Sequence, residues 1–227
     1  LKQWMQTVQM WAQDEAHHVL PGNQWGKAVN CFPNAIGLGV TASPIRCDKK
    51  ALGAENGGVF HAMVIGPSMR HLIDEGYLAD YRIFAPESPI NFDAIDISKS
   101  TGEFNKDSLI KETHQSTITG DIVDHYKRIA MGKRGITFTV DVESAKETAK
   151  KFNEAGVPAD AVSGNTPDDI RQNSIERFKS GQLLQLVNVD LFGEGFDVPA
   201  AEVVSMGRAT QSYGLYIQQF GRGLRPF

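Results

Sequence analysis

The chain has 227 residues, 41% of them apolar and 22% charged, the make-up of an ordinary globular protein with room for one large domain or two small ones. Its formal charge of -4 excludes a body that is basic throughout and wraps nucleic acid, while leaving room for a local basic groove. Cys31 and Cys47 make no disulfide framework and point to a reducing, cytoplasmic setting; no apolar run approaches the roughly 18 residues of a membrane span.

Residues 8–12 read as a strand, interrupted on one side by Gln9 and followed at once by Asp14-Glu15-Ala16-His17. An acidic pair at a strand end can divide the labour of phosphoryl transfer. Asp14 can hold magnesium through water, and Glu15 can orient or deprotonate the attacking water. A solvated acidic turn is the plainer alternative for the same four residues. Gly22-Asn23-Gln24-Trp25-Gly26-Lys27-Ala28 imitates a phosphate-binding loop but is one spacer residue short and has alanine where the magnesium-binding hydroxyl belongs, so Lys27 is expected at the surface. A second strand over residues 35–40 closes on Thr41-Ala42-Ser43-Pro44, where two small hydroxyl side chains can bridge polar neighbours or simply make a turn. A helix over 67–75 and a strand over 81–85 follow. Pro86-Glu87-Ser88-Pro89 then opens an irregular polar stretch reaching about Lys106, which places a domain junction near residue 84.

Beyond the junction the pattern is regular: a helix over 107–130, a strand over 135–140, a helix over 142–155, a strand over 159–162, a helix over 167–179, strands over 183–189 and 202–206, and a last helix over 213–224. Short aliphatic runs separated by helices predict an α/β fold with a mostly parallel sheet covered on both faces. Ligands on such sheets gather beyond the carboxyl ends of the strands. The glycines of the 191–199 loop allow backbone to approach a ligand, and Asp197 can accept hydrogen bonds from ribose hydroxyls. Gln218, Arg222 and Arg225, spaced four and three apart, fit one helical face, and two guanidinium groups there suit the charge of a triphosphate. Carboxylates at one end of the chain and arginines at the other are what ATP cleavage with Mg2+ requires.

The ordered set Asp14-Glu15-Ala16-His17, Thr41-Ala42-Ser43, Gly195-x-Asp197 and Gln218-x-x-Gly221-Arg222-x-x-Arg225 resembles motifs II, III, V and VI of the superfamily 2, DEAH-type helicases. The surrounding phrases are most similar to the branch holding the type III restriction motor subunit and the XPB-like helicases, phage and prophage members included. The resemblance implies two RecA-like lobes with ATP and Mg2+ between them and nucleic acid, DNA rather than RNA, crossing both, in the cytoplasm of a bacterial or phage-infected cell. Residues 1–84 would be the C-terminal part of lobe 1 and 85–227 lobe 2, with motif IV on the 135–140 strand. By the same resemblance Asp14 binds magnesium through water and Glu15 is the catalytic base. His17 and Gln218 couple the lobes, as do Thr41 and Ser43; Gly195 and Asp197 meet the nucleotide; Arg222 and Arg225 are arginine fingers; and Ser163-Gly164 meets nucleic-acid phosphates.

Two motif positions depart from the commoner pattern, with Ser43 in place of threonine and Val189 in place of a nucleic-acid-contacting threonine. The loop Gly-x-x-x-x-Gly-Lys-Ser/Thr does not occur in the chain. The 227 residues are therefore expected to be an excised portion of a larger ATPase and, alone, to turn over ATP slowly or not at all. Two alternatives stay open: the motor subunit of a restriction or repair nuclease, and a RecA-like module that binds nucleic acid without catalysis. Retention of Glu15, Arg222 and Arg225 weighs against the second.

Overall fold

The computed structural model describes residues 10–13, 16, 19–41, 52–87, 90–98, 103–116, 118–189 and 201–226. The chain forms two compact units, Leu1–Pro67 and Ser68–Phe227. In the first, strands β1 (Met10–Gln13) and β2 (Ile36–Gly39) pair in parallel, with Met10 opposite Ile36 and Gln13 opposite Gly39. Parallel neighbours need a crossover connection, and helix α1 (Gln24–Asn30) lies within it. Asn23 caps α1 by accepting the Gly26 N–H at 2.9 Å. A Cβ on Gly26 would meet the Leu20 carbonyl oxygen at 1.8 Å, so this glycine serves a close backbone approach and not a phosphate. Lys27 is exposed, as expected. Met10, Ile36 and Leu38 share one face of the strand pair and are exposed.

The second unit opens with helix α2 (Met69–Asp74), capped by Ser68, whose hydroxyl accepts the His71 N–H. The strand expected over 81–85 does not form. The Ala79 N–H instead donates to the Leu224 carbonyl at 2.9 Å, and the Tyr81 ring meets the Phe220 ring edge-on at 4.9 Å. Tyr81 thus packs on the last helix, whereas Ile83 and Phe84 are exposed. Residue 84, near which the sequence places a junction, lies within Ser68–Phe227.

The helix expected over 107–130 is two helices, α3 (Lys106–Gln115) and α4 (Ile118–Ala130). Ser116 divides them: it is extended, and its hydroxyl donates to the Thr113 carbonyl at 2.7 Å and accepts from the Ile118 N–H, offering the backbone an alternative to continued helix.

Strands β3 (Gly135–Phe138), β4 (Ala159–Ser163), β5 (Gln185–Val189) and β6 (Val203–Met206) form a parallel sheet in the order β4-β5-β3-β6. Helix α5 (Val142–Glu154) joins β3 to β4, and α6 (Asp168–Lys179) joins β4 to β5. Strand alternation sends Val187 and Val189 to one face, packed with Tyr126 of α4 and Phe152 of α5, while Ile136, Phe138 and Leu186 pack with Ile175 and Phe178 of α6 on the other. The parallel α/β class and the covering of both faces follow the sequence pattern. Buried polar side chains stitch the central strands: Thr137 Oγ1 donates to Gln185 Oε1 at 3.1 Å, and Asn188 Nδ2 donates to the Thr137 carbonyl at 3.2 Å. The last helix, α7 (Tyr213–Gly221), begins at Ser212, whose hydroxyl accepts the Leu215 N–H at 3.2 Å.

Candidate nucleotide site

In the first unit, β1 ends at Gln13, directly before the acidic tetrad. Asp14, Glu15 and His17 lie outside the described residues, as does Ser43. Ala16 is described and buried, and its N–H donates to the Val40 carbonyl at 3.0 Å. Val40 immediately precedes Thr41, which is half-buried. The backbone of Ala16 is thus held against Val40, the residue that follows β2 and precedes Thr41. Gly39 permits this approach: a Cβ there would lie 2.7 Å from the Ala16 Cβ and 2.5 Å from the Phe60 ring.

In the second unit, Ser163 ends β4 and is buried, whereas Gly164 is exposed. The Ser163 N–H donates to Thr166 Oγ1 at 2.9 Å and the Thr166 N–H returns a bond to the Ser163 carbonyl at 3.0 Å, making a tight turn into α6. Ser163 pairs with Val189, the last residue of β5. The segment carrying Gly195 and Asp197 leaves β5 at that same sheet edge; both residues lie outside the described ones.

Helix α7 carries Gln218, half-buried, and is capped at its C-terminus by Arg222. Past Gly221 the backbone continues by three-residue steps, with the Arg222, Gly223 and Leu224 N–H groups donating to the Gln219, Phe220 and Gly221 carbonyls. The helix expected as far as 224 therefore stops three residues early. Gln218 and Arg222 keep their one-turn relation, while half-buried Arg225 follows a turn and does not extend the same helical face.

The loop from β6 to α7 is held by a residue that sequence reasoning passed over. The Glu103 carboxylate accepts the Gln211 N–H at 2.8 Å, the Ser212 N–H at 2.9 Å and the Thr210 hydroxyl at 2.6 Å, besides its own neighbour's Phe104 N–H at 2.8 Å. Burial pushes the Glu103 carboxyl upward, but these donors outweigh it and hold the group below its ordinary range. Burial also lowers the Arg208 guanidinium, against the attraction of Glu103. No local signal marks Glu103, since its partners stand more than a hundred residues away in an irregular stretch.

Asp141 caps α5 through the Ser144 N–H at 2.8 Å and pairs with His114 Nε2 at 3.0 Å. With Glu143 these residues form the one group of three metal-ligating side chains within 4.8 Å among the described residues, largely exposed.

Residues 118–226 match the family described as helicase conserved C-terminal domain. A 51.5 kDa protein of a Lactococcus phage is 34% identical over 215 residues, 93% of this chain and 45% of its own length. The helicase-type protein IRC3 of Saccharomyces cerevisiae is 28% identical over 221 residues, 93% of this chain and 31% of its own length. The chain spans less than half the length of these relatives. A fragment of an HsdR-type subunit of a type I restriction enzyme from Vibrio vulnificus YJ016 superposes with a TM-score of 0.68 at 20% identity, covering 98% of this chain and 41% of that one, which shows the fold. Residues 118–226, within the second unit, therefore carry a helicase conserved C-terminal domain.

Proposed function

We propose that these residues serve an ATP-dependent helicase or translocase that moves on nucleic acid, DNA in preference to RNA, contributing part of one RecA-like lobe and nearly all of a second. The observation that carries this reading is the bond from the Ala16 N–H to the Val40 carbonyl, which holds one residue of the tetrad beside the residue that precedes Thr41, at the carboxyl end of β2.

The residue types suit a magnesium nucleotide: carboxylates at Asp14 and Glu15, hydroxyls at Thr41 and Ser43, and guanidinium groups at Arg222 and Arg225. ATP supplies the phosphoanhydride whose cleavage drives movement. Asp14 would hold Mg2+ through water, and Glu15 would take the proton of the attacking water. Arg222 and Arg225 would meet the charge developing on the transferred group. Gly195 and Asp197 would receive the ribose, while His17, Thr41, Ser43 and Gln218 would link nucleotide state to the position of each lobe. At the β4 edge, exposed Gly164 offers its backbone to nucleic-acid phosphates, with buried Ser163 shaping the turn.

The test is ATP turnover by the natural protein bearing these residues, with single-stranded DNA, duplex DNA and RNA, beside Glu15→Gln and Arg225→Ala. Both substitutions should lower turnover by about a thousandfold or more. Unchanged turnover in both would end the reading.

A further inference from the structure

Glu103 sits at the base of a short antiparallel contact: Ile97 bridges Phe104, and the Ser98 N–H donates to the Glu103 carbonyl at 2.8 Å. Phe104 stacks on Phe92 at 6.1 Å and packs against the cluster of Ile90, Ile95, Leu109 and Val140. The residue beside the carboxylate is therefore anchored in a core. From that anchor the carboxylate reaches Thr210, Gln211 and Ser212, and Ser212 in turn caps the helix that delivers Gln218 and Arg222. Ser212 is the N-cap of α7, where a helix start leaves N–H groups without intrahelical partners, and Gln211 directly precedes it, so an anion fixed there sets where α7 begins.

We infer that Glu103 is a positioning residue for the arginine-bearing segment, fixing the start of α7 so that Gln218, Arg222 and Arg225 present their side chains in one arrangement. The inference rests on the role proposed above for those arginines. Glutamine at position 103 keeps the volume but replaces one acceptor oxygen with a donor that faces donors, so the loop over 210–212 must shift. Displacement of reacting groups by about 1 Å can cost two powers of ten in rate.

The experiment uses the natural protein with Glu103→Gln, Thr210→Val, Arg225→Ala and the Glu103→Gln/Arg225→Ala pair. Glu103→Gln should lower kcat by at least about tenfold with KM for ATP within about twofold, and Thr210→Val should do the same to a smaller degree. Amide hydrogen exchange over 210–221 should quicken while that of β3 and β5 stays unchanged. In the Arg225→Ala background the Glu103→Gln change should cost clearly less than it does alone, because the part of its effect that passes through Arg225 is already lost. If Glu103→Gln turns over like the natural protein, or multiplies the Arg225→Ala defect in full, positioning is overturned while the arginine assignment stands on the Arg225→Ala loss. If Arg225→Ala itself is without effect, the functional reading and this inference fail together. Should Glu103→Gln not fold, Thr210→Val carries the same arms.

Discussion

The Ala16 N–H and the Val40 carbonyl lie 3.0 Å apart, and this bond ties Ala16 to the residue that follows β2. It forms because Gly39 has no side chain to hold Ala16 and the Phe60 ring away. Gly39→Ala should cost about 1–3 kcal/mol by overpacking, and Gly39→Ala with Phe60→Leu should recover part of that loss. Urea unfolding of the single and double variants measures both. A Gly39→Ala protein as stable as the natural one would show that Ala16 is not held this closely.

Gly135 stands under Gln185 in the same way. A Cβ at 135 would approach Gln185 Nε2 to 2.4 Å, and Gln185 is fully buried with its Oε1 already accepting from Thr137. Gly135→Ala should therefore destabilise by about 1–3 kcal/mol. The combination with Gln185→Ala should be less harmful than the sum of its parts by at least ~0.5 kcal/mol. Simple additivity in a thermal or denaturant series would remove the proposed clash.

Much of the second sheet could be read in advance, because its signals are local. Ile136 and Phe138 alternate with Thr137, and α5 shows its length through the spacing of Ala145, Ala149 and Phe152. What escaped were matters settled at a distance. Helix α1 was hidden because Gly26 and Lys27 invited comparison with a phosphate loop, whereas Gly26 answers to the Leu20 carbonyl. Residues 81–85 look like a strand by composition, yet Tyr81 is claimed by Phe220, and no periodicity can show that. Of the candidate site, Thr41, Ser163, Gly164, Gln218, Arg222 and Arg225 can be located in the fold, and Glu103 enters only through partners that no sequence window contains.

Acid should weaken the second unit through identifiable carboxylates. Glu103 and Asp141 are each pushed upward by burial but held below their ordinary range by hydrogen bonds, from Thr210, Gln211, Phe104 and Ser212 in one case and from Ser144 and His114 in the other. A carboxylate depressed in the folded state contributes stability that is fully present above its unfolded pKa, about 3.9 to 4.3, and is lost as pH falls through the lower folded value. Glu103→Gln and Asp141→Asn should thus be less stable than the natural protein at pH 7, by about 1–2 kcal/mol each, with the gap closing as pH falls below 4. Urea midpoints between pH 7 and pH 3 read this directly. A gap constant with pH would mean that the carboxylate charge contributes nothing.

Arg222 and Arg225 should not be equivalent. Arg222 is the C-cap of α7, and its N–H donates to the Gln219 carbonyl, whereas Arg225 follows a turn closed by the Leu224 N–H on the Gly221 carbonyl. The backbone of Leu224 also accepts from Ala79, so the stretch leading to Arg225 is tied to residues on both sides. Arg225→Lys keeps a charge but gives up the planar fork of donors, and if Arg225 meets a phosphoryl group in the transition state this change should be nearly as damaging as Arg225→Ala. Single-turnover measurements should then show ATP binding within about threefold of the natural protein and a chemical step slowed by about three powers of ten in both variants. Full activity in Arg225→Lys would reduce the residue to a point charge, and equal loss of binding and chemistry would place it on the ground-state nucleotide instead.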